Sequence, residues 1–438
     1  MTASTAEVPF FQRELETTPR ERLRALQWQR VTSLAREVFP ANPFIKRKWE
    51  AAGLRSVEDL RSWEDFYALP FTTKSEYVVD QAERPPFGTN LTYPVERYVR
   101  VHQTSGTTGL PIRWLDTEES WNWLARCWCY VLRGAGVTSA DRAIFPFSFS
   151  FFIGFWQAFD GARQLGTMVV SAGGLDSLTR LHLIESLGVT VLVCTPTYAL
   201  HLIEVARERG IDLPNSSIRI TVHAAEPGAS IPATRKRLEE GWGARCFDHA
   251  GMSEVGPFSF ECVAQAGPHL IESEFIAEVI DPTTLKPAQR GELVLTNLGR
   301  TGSPVFRYRS GDLVQLAETP CVCGRSFYRL EGGILGRLDD MLIVRGVNVF
   351  PAALEGIVRG FEAASEFQIV VYRRGEMDEI CLRLEIDERL APVKQTVQAV
   401  ADRVRMDIGI RVDVEAVPFG SLPRSESKVS RLVRRQEP

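Results

Sequence analysis

A loop rich in glycine and threonine is the first segment of this sequence that could do chemistry. It follows the strand-like residues 98–102 and reads Gln103-Thr104-Ser105-Gly106-Thr107-Thr108-Gly109-Leu110-Pro111. The glycines let backbone N–H groups turn inward and the hydroxyl groups add uncharged donors, so the loop could embrace a polyphosphate. No Gly-Lys-Ser/Thr follows, which excludes a Walker A loop, and the chain has no GxGxxG motif. A plain surface turn is the alternative interpretation.

Three charged side chains further along could complete a nucleotide site. Glu254, Asp312 and Lys428 end the segments Gly251-Met252-Ser253-Glu254, Arg307-Tyr308-Arg309-Ser310-Gly311-Asp312 and Leu422-Pro423-Arg424-Ser425-Glu426-Ser427-Lys428. A carboxylate can bind a divalent cation or accept hydrogen bonds from two adjacent hydroxyl groups. A GxSxG nucleophile elbow around Ser253 is excluded, because Gly256 comes one residue too late. Without further context, Glu254 could start a helix, Asp312 could form an ordinary turn, and Lys428 could be a solvated lysine.

Three cysteines and one histidine form a second candidate site. Cys262 and His269 bracket a Gly-Pro turn, whereas Cys321 and Cys323 form a Cys-x-Cys turn that can present both sulfurs. A closed set of three thiolates and one imidazole is typical of structural zinc. Cys-x-Cys is less usual than Cys-x₂-Cys, so merely buried thiols are the alternative.

Short apolar runs that alternate with amphipathic segments predict the scaffold for these residues. Buried strands are predicted at 143–147, 167–172, 189–194 and 218–223, with helices at 178–187 and 197–208 among them. This succession predicts an α/β fold with a mainly parallel sheet. The first hundred residues are predicted to be mostly helical, with helices at 20–39 and 59–67.

The pattern changes after Gly251. Short strands at 276–281, 291–296 and 311–316 lie between Pro/Gly turns and predict a twisted antiparallel β unit. The last hundred residues predict a compact α+β module, with strands at 343–344, 367–372, 381–386 and 412–417 and helices at 352–360 and 393–406. We therefore expect two domains, 1–335 and 336–438.

Composition excludes several classes of protein. The chain has 438 residues, of which 44% are hydrophobic, so disordered and fibrous proteins are excluded. A net charge of −4 offers no basic field for nucleic acid. The most apolar stretch, 145–159, is too short for a membrane span, and the start shows no signal pattern. Eight cysteines are too few for a disulfide scaffold, so a reducing cytoplasm is expected, with a homodimer left open as the assembly.

In their order and spacing, the motifs resemble those of the acyl-adenylate-forming enzymes. The resemblance runs from about residue 43 to the C-terminus and also includes Ala225-Glu226-Pro227 and Gly336-Arg337-Leu338-Asp339-Asp340-Met341. Segments 345–351 and 422–428 are especially similar to phenylacetate–CoA ligases and related aryl–CoA ligases. The resemblance implies a large N-terminal adenylating domain, with mainly parallel sheets plus a β subdomain, and a small α+β C-terminal lid domain.

The resemblance also implies two half-reactions and a role for each matched residue. A carboxylate attacks the α-phosphorus of ATP, and the coenzyme A thiolate then takes the acyl group. Thr104 and the loop residues hold phosphates, Glu254 binds Mg²⁺, Asp312 accepts from the ribose hydroxyls, and Lys428 is the catalytic lysine. Nucleotide contacts are implied for Ser105, Gly106, Thr107, Thr108, Gly109, Ala225, Glu226, Pro227, Asp248, Gly251, Met252, Ser253 and Arg337. Asp339 is the implied hinge, and Arg345 and Gly346 approach the pantetheine channel.

A run of aromatic residues from 145 to 156 falls where the family places its acyl pocket. Rings stack favourably on aryl acids, so an aromatic carboxylate is the predicted substrate, although hydrophobic core is the alternative for any single ring. The predicted pocket residues are Phe147, Phe151, Phe152, Gly154, His223, Ala224, His249 and Ala250. The two histidines could hydrogen-bond to a hydroxyl or amino substituent on the ring.

Two positions depart from the family pattern. Leu110 stands where the loop normally carries a lysine, so Arg113 is a candidate for the missing charge, and Ala250 replaces an aromatic residue. We expect an ATP-dependent, AMP-forming aryl–CoA ligase that uses Mg²⁺ and coenzyme A and carries a structural zinc. The alternatives are transfer to a carrier-protein phosphopantetheine, a nucleotide-binding protein that has lost catalysis, and a phosphotransferase that releases ADP.

Overall fold

The computed structural model describes residues 8–104, 111–151, 153–344, 347–374, 377–423 and 431–435. Its helices are α1 Arg13–Glu16, α2 Arg20–Ala41, α3 Pro43–Ala51, α4 Trp63–Ala68, α5 Lys74–Glu83, α6 Glu118–Gly134, α7 Trp156–Gln164, α8 Ser177–Ser186, α9 Pro196–Arg209, α10 Pro232–Trp242, α11 Pro351–Arg359 and α12 Val393–Ile408, with 3₁₀ turns at Val57–Asp59 and Val95–Arg97. No helix within these ranges is long and apolar enough to cross a membrane.

The strands group into the sheets given below. They are β1 Tyr98–Gln103, β2 Arg113–Thr117, β3 Arg142–Phe145, β4 Met168–Ser171, β5 Val191–Cys194, β6 Ile220–His223, β7 Arg245–Asp248, β8 Gly251–Met252, β9 Gly256–Pro257, β10 Ser259–Phe260, β11 His269–Leu270, β12 Phe275–Ile280, β13 Arg290–Asn297, β14 Tyr308–Gln315, β15 Gly336–Arg337, β16 Leu342–Val344, β17 Val347–Val349, β18 Ala364–Arg374, β19 Met377–Ile386, β20 Asp413–Val417 and β21 Leu432–Arg435.

A five-stranded parallel sheet, in the order β4-β3-β5-β6-β7, carries the predicted α/β region. All four strands predicted from apolar runs are present. The fifth strand, β7, was not predicted, because only its two central residues, Cys246 and Phe247, are apolar. Cys194 pairs with His223, and His223 pairs with Asp248, so three strands end level with one another. Ligands of open α/β sheets bind at this carboxyl edge.

The predicted antiparallel unit is also present, as a sheet in the order β12-β13-β14-β15. Asp312 of β14 pairs with Arg337 of β15, which brings two predicted nucleotide residues onto neighbouring strands. The hairpin β1–β2 lies apart from both sheets, and its last pair joins Gln103 to Arg113. These two residues flank the glycine-threonine loop, so the hairpin fixes both ends of that loop.

The last hundred residues build a separate core. Strands β20-β19-β18-β21 form a mixed sheet whose apolar residues pack with those of α11 and α12. Gly336 lies where this part meets the rest of the chain. A Cβ atom built there would come within 2.6 Å of a ring atom of Phe350, so only glycine permits the approach. Both helices and all four strands predicted in this module are found.

The N-terminal helices cover the large part of the molecule. Leu23, Val31, Leu34 and Val38 of α2 are buried at helical spacing, as predicted. The helix predicted at 59–67 is instead divided into the turn Val57–Asp59 and α4. Ser56 and Ser62 each form a capping box with an aspartate three residues later, so each serine starts an element of its own.

Candidate nucleotide and acyl site

The base of the glycine-threonine loop is held by Thr104. Its backbone N–H donates to the carbonyl oxygen of Ile112 at 2.9 Å, and its Oγ1 accepts from the backbone N–H of Ile112 at 3.0 Å. The backbone N–H of Gln103 donates to the carbonyl oxygen of Phe151 at 3.1 Å. The start of the loop therefore lies beside the aromatic run that was predicted to bind the acyl group.

A buried ion pair connects this hairpin to the segment that carries Glu254. Arg300 forms a bidentate pair with Asp116 of β2 at 2.7 Å for both contacts, and both side chains are fully buried. Nη1 of Arg300 also donates to the carbonyl oxygens of Ser253, at 2.7 Å, and of Glu254, at 3.1 Å. Arg300 thus fixes the backbone of Glu254 relative to β2. Sequence reasoning missed both Arg300 and Asp116.

Glu254 is buried and faces a lysine from a distant helix. Nζ of Lys74, the first residue of α5, lies 3.6 Å from Oε1 of Glu254. Lys74 was also missed, although the absence of a lysine at Leu110 was a signal to look for another cation. Arg113 is placed differently, because its Nη1 donates to the carbonyl oxygen of Pro86 at 3.0 Å.

The predicted ribose residue and the predicted hinge residue share one arginine. Nη1 of Arg337 donates to Oδ1 of Asp312 at 3.2 Å, while its Nε and Nη2 donate to the two oxygens of Asp339 at 2.9 Å each. The Arg337 guanidinium lowers the pKa of Asp339 against the opposing effect of its burial. Thr72, two residues before Lys74, forms a bridge with Tyr308 of β14, the strand that also carries Asp312. These charged residues therefore converge.

The carboxyl edge of the parallel sheet carries the Ala225-Glu226-Pro227 motif and Asp248. Ala225 has a positive φ of 78°, an unusual conformation for a residue with a Cβ. Oε1 of Glu226 accepts from the backbone N–H of Thr197 at 2.9 Å, so this carboxylate caps α9. Asp248 accepts a hydrogen bond from Ser230. Burial, followed by the charge of Glu261, raises the pKa of Asp248 to about 6.

His223 and His249 are buried at the same edge as neutral imidazoles. Burial lowers the pKa of each ring to about 4. Nδ1 of His223 lies 3.1 Å from the carbonyl oxygen of Cys194, and Nδ1 of His249 lies 2.6 Å from that of Ser259. Among the described residues, Nε2 of His223 has no hydrogen-bond partner. That nitrogen is the atom that could meet a polar group of a ligand.

A continuous set of ring contacts connects Phe147 to His249. The ring centroids of Phe147 and Phe155 are 5.7 Å apart, those of Phe155 and Trp128 6.1 Å, and those of Trp128 and His249 4.3 Å. Trp128 of α6 was not predicted from the sequence, because it stands among many other buried apolar residues of that helix. Phe147 is buried, whereas Phe151 is 49% exposed and takes no part in these contacts.

Gly154, Ala224 and Ala250 border this wall. Gly154 has a positive φ of 35° and lies next to Phe155. Ala224 is buried directly after β6, and Ala250 is half-buried with its backbone N–H donating to Oγ of Ser259 at 3.0 Å. Gly251 pairs with Pro257, and Met252 pairs with Gly256. The remaining predicted site residues lie outside the described part of the chain: Ser105, Gly106, Thr107, Thr108, Gly109, Phe152, Arg345, Gly346 and Lys428.

The four predicted metal ligands are brought together and buried. The Sγ atoms of Cys262 and Cys321 are 3.8 Å apart, and Sγ of Cys323 lies 3.5 Å from Nε2 of His269. All four ligand atoms lie within 4.8 Å of one another. Zn–S bonds of about 2.3 Å and Zn–N bonds of about 2.0 Å give tetrahedral edges of roughly 3.8 and 3.5 Å. Nδ1 of His269 faces the carbonyl oxygen of Phe327 at 3.2 Å, which leaves Nε2 for a metal.

Two family models match this chain. The AMP-binding enzyme model matches residues 79–299, and the AMP-binding enzyme C-terminal domain model matches residues 346–436. The phenylacetate–coenzyme A ligase of Thermus thermophilus is 36% identical, over 97% of this chain and 98% of the relative. The resemblance inferred from the motifs is therefore confirmed.

A solved structure of 2-hydroxyisobutyryl-CoA ligase in the postadenylation state superposes with a TM-score of 0.92, at 30% identity over 99% of this chain and 94% of that one. A structure of the same ligase in the thioesterification state, with coenzyme A, superposes with a TM-score of 0.71. Its sequence is 31% identical over 98% of this chain and 93% of that one. Because the sequence identity and the coverage hardly differ between the two comparisons, the lower TM-score reflects a different arrangement of the parts of that ligase. The α/β fold class is confirmed, and the chain belongs to the AMP-binding enzymes, in the group of acid–coenzyme A ligases that includes the phenylacetate–coenzyme A ligases.

Proposed function

We propose that this chain is an ATP-dependent ligase that adenylates an aromatic carboxylic acid and transfers the acyl group to coenzyme A. In the first step an oxygen of the acid attacks the α-phosphorus of ATP and pyrophosphate leaves. In the second step the thiolate attacks the acyl carbon and AMP leaves. The observation that carries the proposal is that the Lys74–Glu254 and Asp312–Arg337 pairs lie on segments joined by the bridge between Thr72 and Tyr308.

The nucleotide side of the site follows from the charges. Ser105–Gly109 would hold the β- and γ-phosphates, and Asp312 would accept from the ribose hydroxyls. Glu254 would hold Mg²⁺, which neutralises phosphate charge when bound, because a buried carboxylate offers the hard oxygen that this cation prefers. Lys74 would supply the positive charge that Leu110 lacks, since it already lies 3.6 Å from Glu254.

The aryl group would lie against the wall of Phe147, Phe155, Trp128 and His249. Each aromatic pair contributes ~0.5–1.5 kcal/mol beyond burial, which favours an aryl acid over an aliphatic one of similar size. Phenylacetate, the acid in the name of the Thermus thermophilus relative, is the first to test. Nε2 of His223 would meet a polar ring substituent.

The C-terminal residues would serve both steps in turn. Lys428 would bridge the substrate carboxylate and an α-phosphate oxygen during adenylation. Arg345 and Gly346 would approach the pantetheine arm, and Asp339 would be the hinge between domains 1–335 and 336–438. Strand Gly336–Arg337 is still paired with the sheet of the large part, so we place the flexing bond just after it.

A zinc ion at Cys262, His269, Cys321 and Cys323 would hold the segments of the β unit together. The Cys262–Cys321 and Cys323–His269 distances match the edges of a zinc tetrahedron, and Nδ1 of His269 faces the carbonyl oxygen of Phe327. The four residues are separate from the nucleotide motifs. A homodimer stays a prediction, which a molar mass measured by light scattering would test.

One assay tests the proposed function. AMP and pyrophosphate release is measured with a panel of ring-substituted aryl acids and with hexanoate, each with and without coenzyme A. We expect pyrophosphate with aryl acids alone, a thioester on adding coenzyme A, and loss of adenylation in Lys428→Ala. Release of ADP, or thioester formation only on a carrier protein, would favour the alternatives. No preference for aryl acids over hexanoate would contradict the substrate class.

A further inference from the structure

A buried cluster of charged residues lies where the C-terminal part meets α9. Nε of Arg431 donates to Oε1 of Glu366 at 2.8 Å, and its Nη1 lies 3.6 Å from Oε1 of Glu355. Arg359 contacts the same two carboxylates at 3.4 and 3.7 Å. These four residues are buried and belong to α11, β18 and the residue before β21. Inside the small part, the charges therefore compensate one another.

One contact of this cluster reaches the large part of the molecule. Nη2 of Arg431 donates to Oγ1 of Thr197 at 2.9 Å, and both residues are buried. Thr197 lies in the first turn of α9, just after β5, at the carboxyl edge of the parallel sheet. A second contact runs nearby, from Nη1 of Arg237 to the carbonyl oxygen of Ala364 at 3.1 Å. The small part is thus fastened to the edge where the candidate site lies.

The chemistry of the Arg431 contact suits a bond that forms and breaks. Its charged partners, Glu355 and Glu366, belong to the same C-terminal part, so they stay with Arg431 when that part moves relative to the rest of the molecule. Its partner across the boundary is a neutral hydroxyl, so parting the two does not separate a buried ion pair. Glu226, which caps α9, adds a weaker attraction to Arg431.

We propose that Arg431 is a positioning residue that docks the C-terminal part against the large domain through Thr197 in the arrangement used for adenylation. In the sequence, Arg431 follows Lys428, the catalytic lysine of the proposed function, by three residues. The fold superposes on the postadenylation arrangement of 2-hydroxyisobutyryl-CoA ligase and less well on its thioesterification arrangement. The contact therefore belongs to the first step and is released before the second. This inference rests on the proposed function.

Thr197→Val tests the dock without disturbing the small domain. Adenylation is measured as pyrophosphate release from ATP and phenylacetate without coenzyme A. The second step is measured separately, with synthetic phenylacetyl-adenylate and coenzyme A. We expect adenylation to slow on the order of tenfold, as for loss of one hydrogen bond to a charged group, while the second step keeps its rate. Thr197→Ser, which retains the hydroxyl, should restore adenylation. Thr32→Val, a buried threonine bonded only within α2, is the matched control.

A distance measurement separates failure of the dock from failure of the proposed function. All eight native cysteines are buried, so spin labels can be attached to Met168→Cys in β4 and Met406→Cys in α12, both strongly exposed. We expect Thr197→Val to broaden the interlabel distance distribution. An unchanged distribution, unchanged adenylation, or an equal loss in both steps would overturn the inference. If the wild type makes no acyl-adenylate, the proposed function fails and the distance distribution alone decides.

Discussion

At the residue scale, the candidate site holds its charges in close pairs. Lys74 faces Glu254, and Arg337 lies between Asp312 and Asp339. Each cation therefore lies opposite at least one carboxylate. In the proposed function, a polyphosphate with its divalent cation would exchange both partners at once, since the metal would bind the carboxylate and the phosphate would bind the ammonium. Such an exchange would leave both Glu254 and Lys74 with a partner of opposite charge.

Lys74→Ala should weaken use of ATP. If Lys74 contacts phosphate, its removal costs one charge-assisted hydrogen bond, about 1.5–3 kcal/mol, or roughly ten- to hundredfold in kcat/KM for ATP. Lys74→Arg should retain most of the activity. The measurement is the kcat/KM of pyrophosphate release, with Lys236→Ala on the exposed side of α10 as the control. Equal kinetics for Lys74→Ala and Lys236→Ala would contradict the assignment.

The buried histidines predict a loss of stability in mild acid. Burial lowers the pKa of His102, His223 and His249 to about 4 each, against 6.5 when unfolded. Each neutral ring therefore contributes stability above pH 6.5 that is lost as the pH falls towards 4. At pH 5.5 the loss is about 1.4 kcal/mol per histidine, or about 4 kcal/mol together.

Urea unfolding at pH 7.5 and 5.5 measures this dependence. His102 stacks on Trp121 at 5.3 Å and binds no predicted substrate, so His102→Phe can be compared directly. We expect the difference between the two pH values to shrink by about a third in this variant. A difference that does not change would show that other groups titrate instead.

At the scale of elements, one buried arginine joins two motifs. Arg300 connects β2, which returns from the glycine-threonine loop, with the backbone of Ser253 and Glu254. Neither segment alone sets that distance, because β2 is a short strand and Ser253 and Glu254 lie in the turn between β8 and β9. The ion pair is fully buried, so it holds β2 and this turn together.

Arg300→Met should destabilise the fold by about 3–5 kcal/mol, because it leaves Asp116 buried without its countercharge. The measurement is the free energy of unfolding in urea. Arg163→Met breaks a comparable pair with Asp160 in which the arginine is 63% exposed, and it should cost less than about 1 kcal/mol. If both variants unfold at the same urea concentration, the interpretation of the buried pair is wrong.

At the scale of the whole molecule, the cysteine-histidine site connects the β unit to the N-terminus. Cys323 precedes Arg325 by two residues, and Nε of Arg325 donates to Oε2 of buried Glu16 at 2.6 Å. The turn with two cysteines therefore holds α1 as well as the metal ligands. A single tetrahedral ion would fasten two segments, 262–269 and 321–323, that are far apart in the chain.

Zinc removal should lower the melting temperature without abolishing the fold of the parallel sheet. We expect about one equivalent of zinc in protein prepared without chelator, and a loss of zinc in Cys323→Ser. Cys381→Ser, which replaces a buried thiol of β19, should retain the metal. Elemental analysis and calorimetry give the two readouts. Less than half an equivalent of zinc in the wild type would argue against the site.

What the sequence determined by itself is local: the order of the motifs, the short apolar strands, the separate C-terminal module and the Cys-His set. Each depends on residue types within a few positions, which chain connectivity keeps together. Only the tertiary structure revealed how Arg300 reaches Asp116, Lys74 reaches Glu254, and Arg431 reaches Thr197. The first and last of these pairs are 184 and 234 residues apart. Their contact depends on how sheets and helices pack, and no local pattern encodes that.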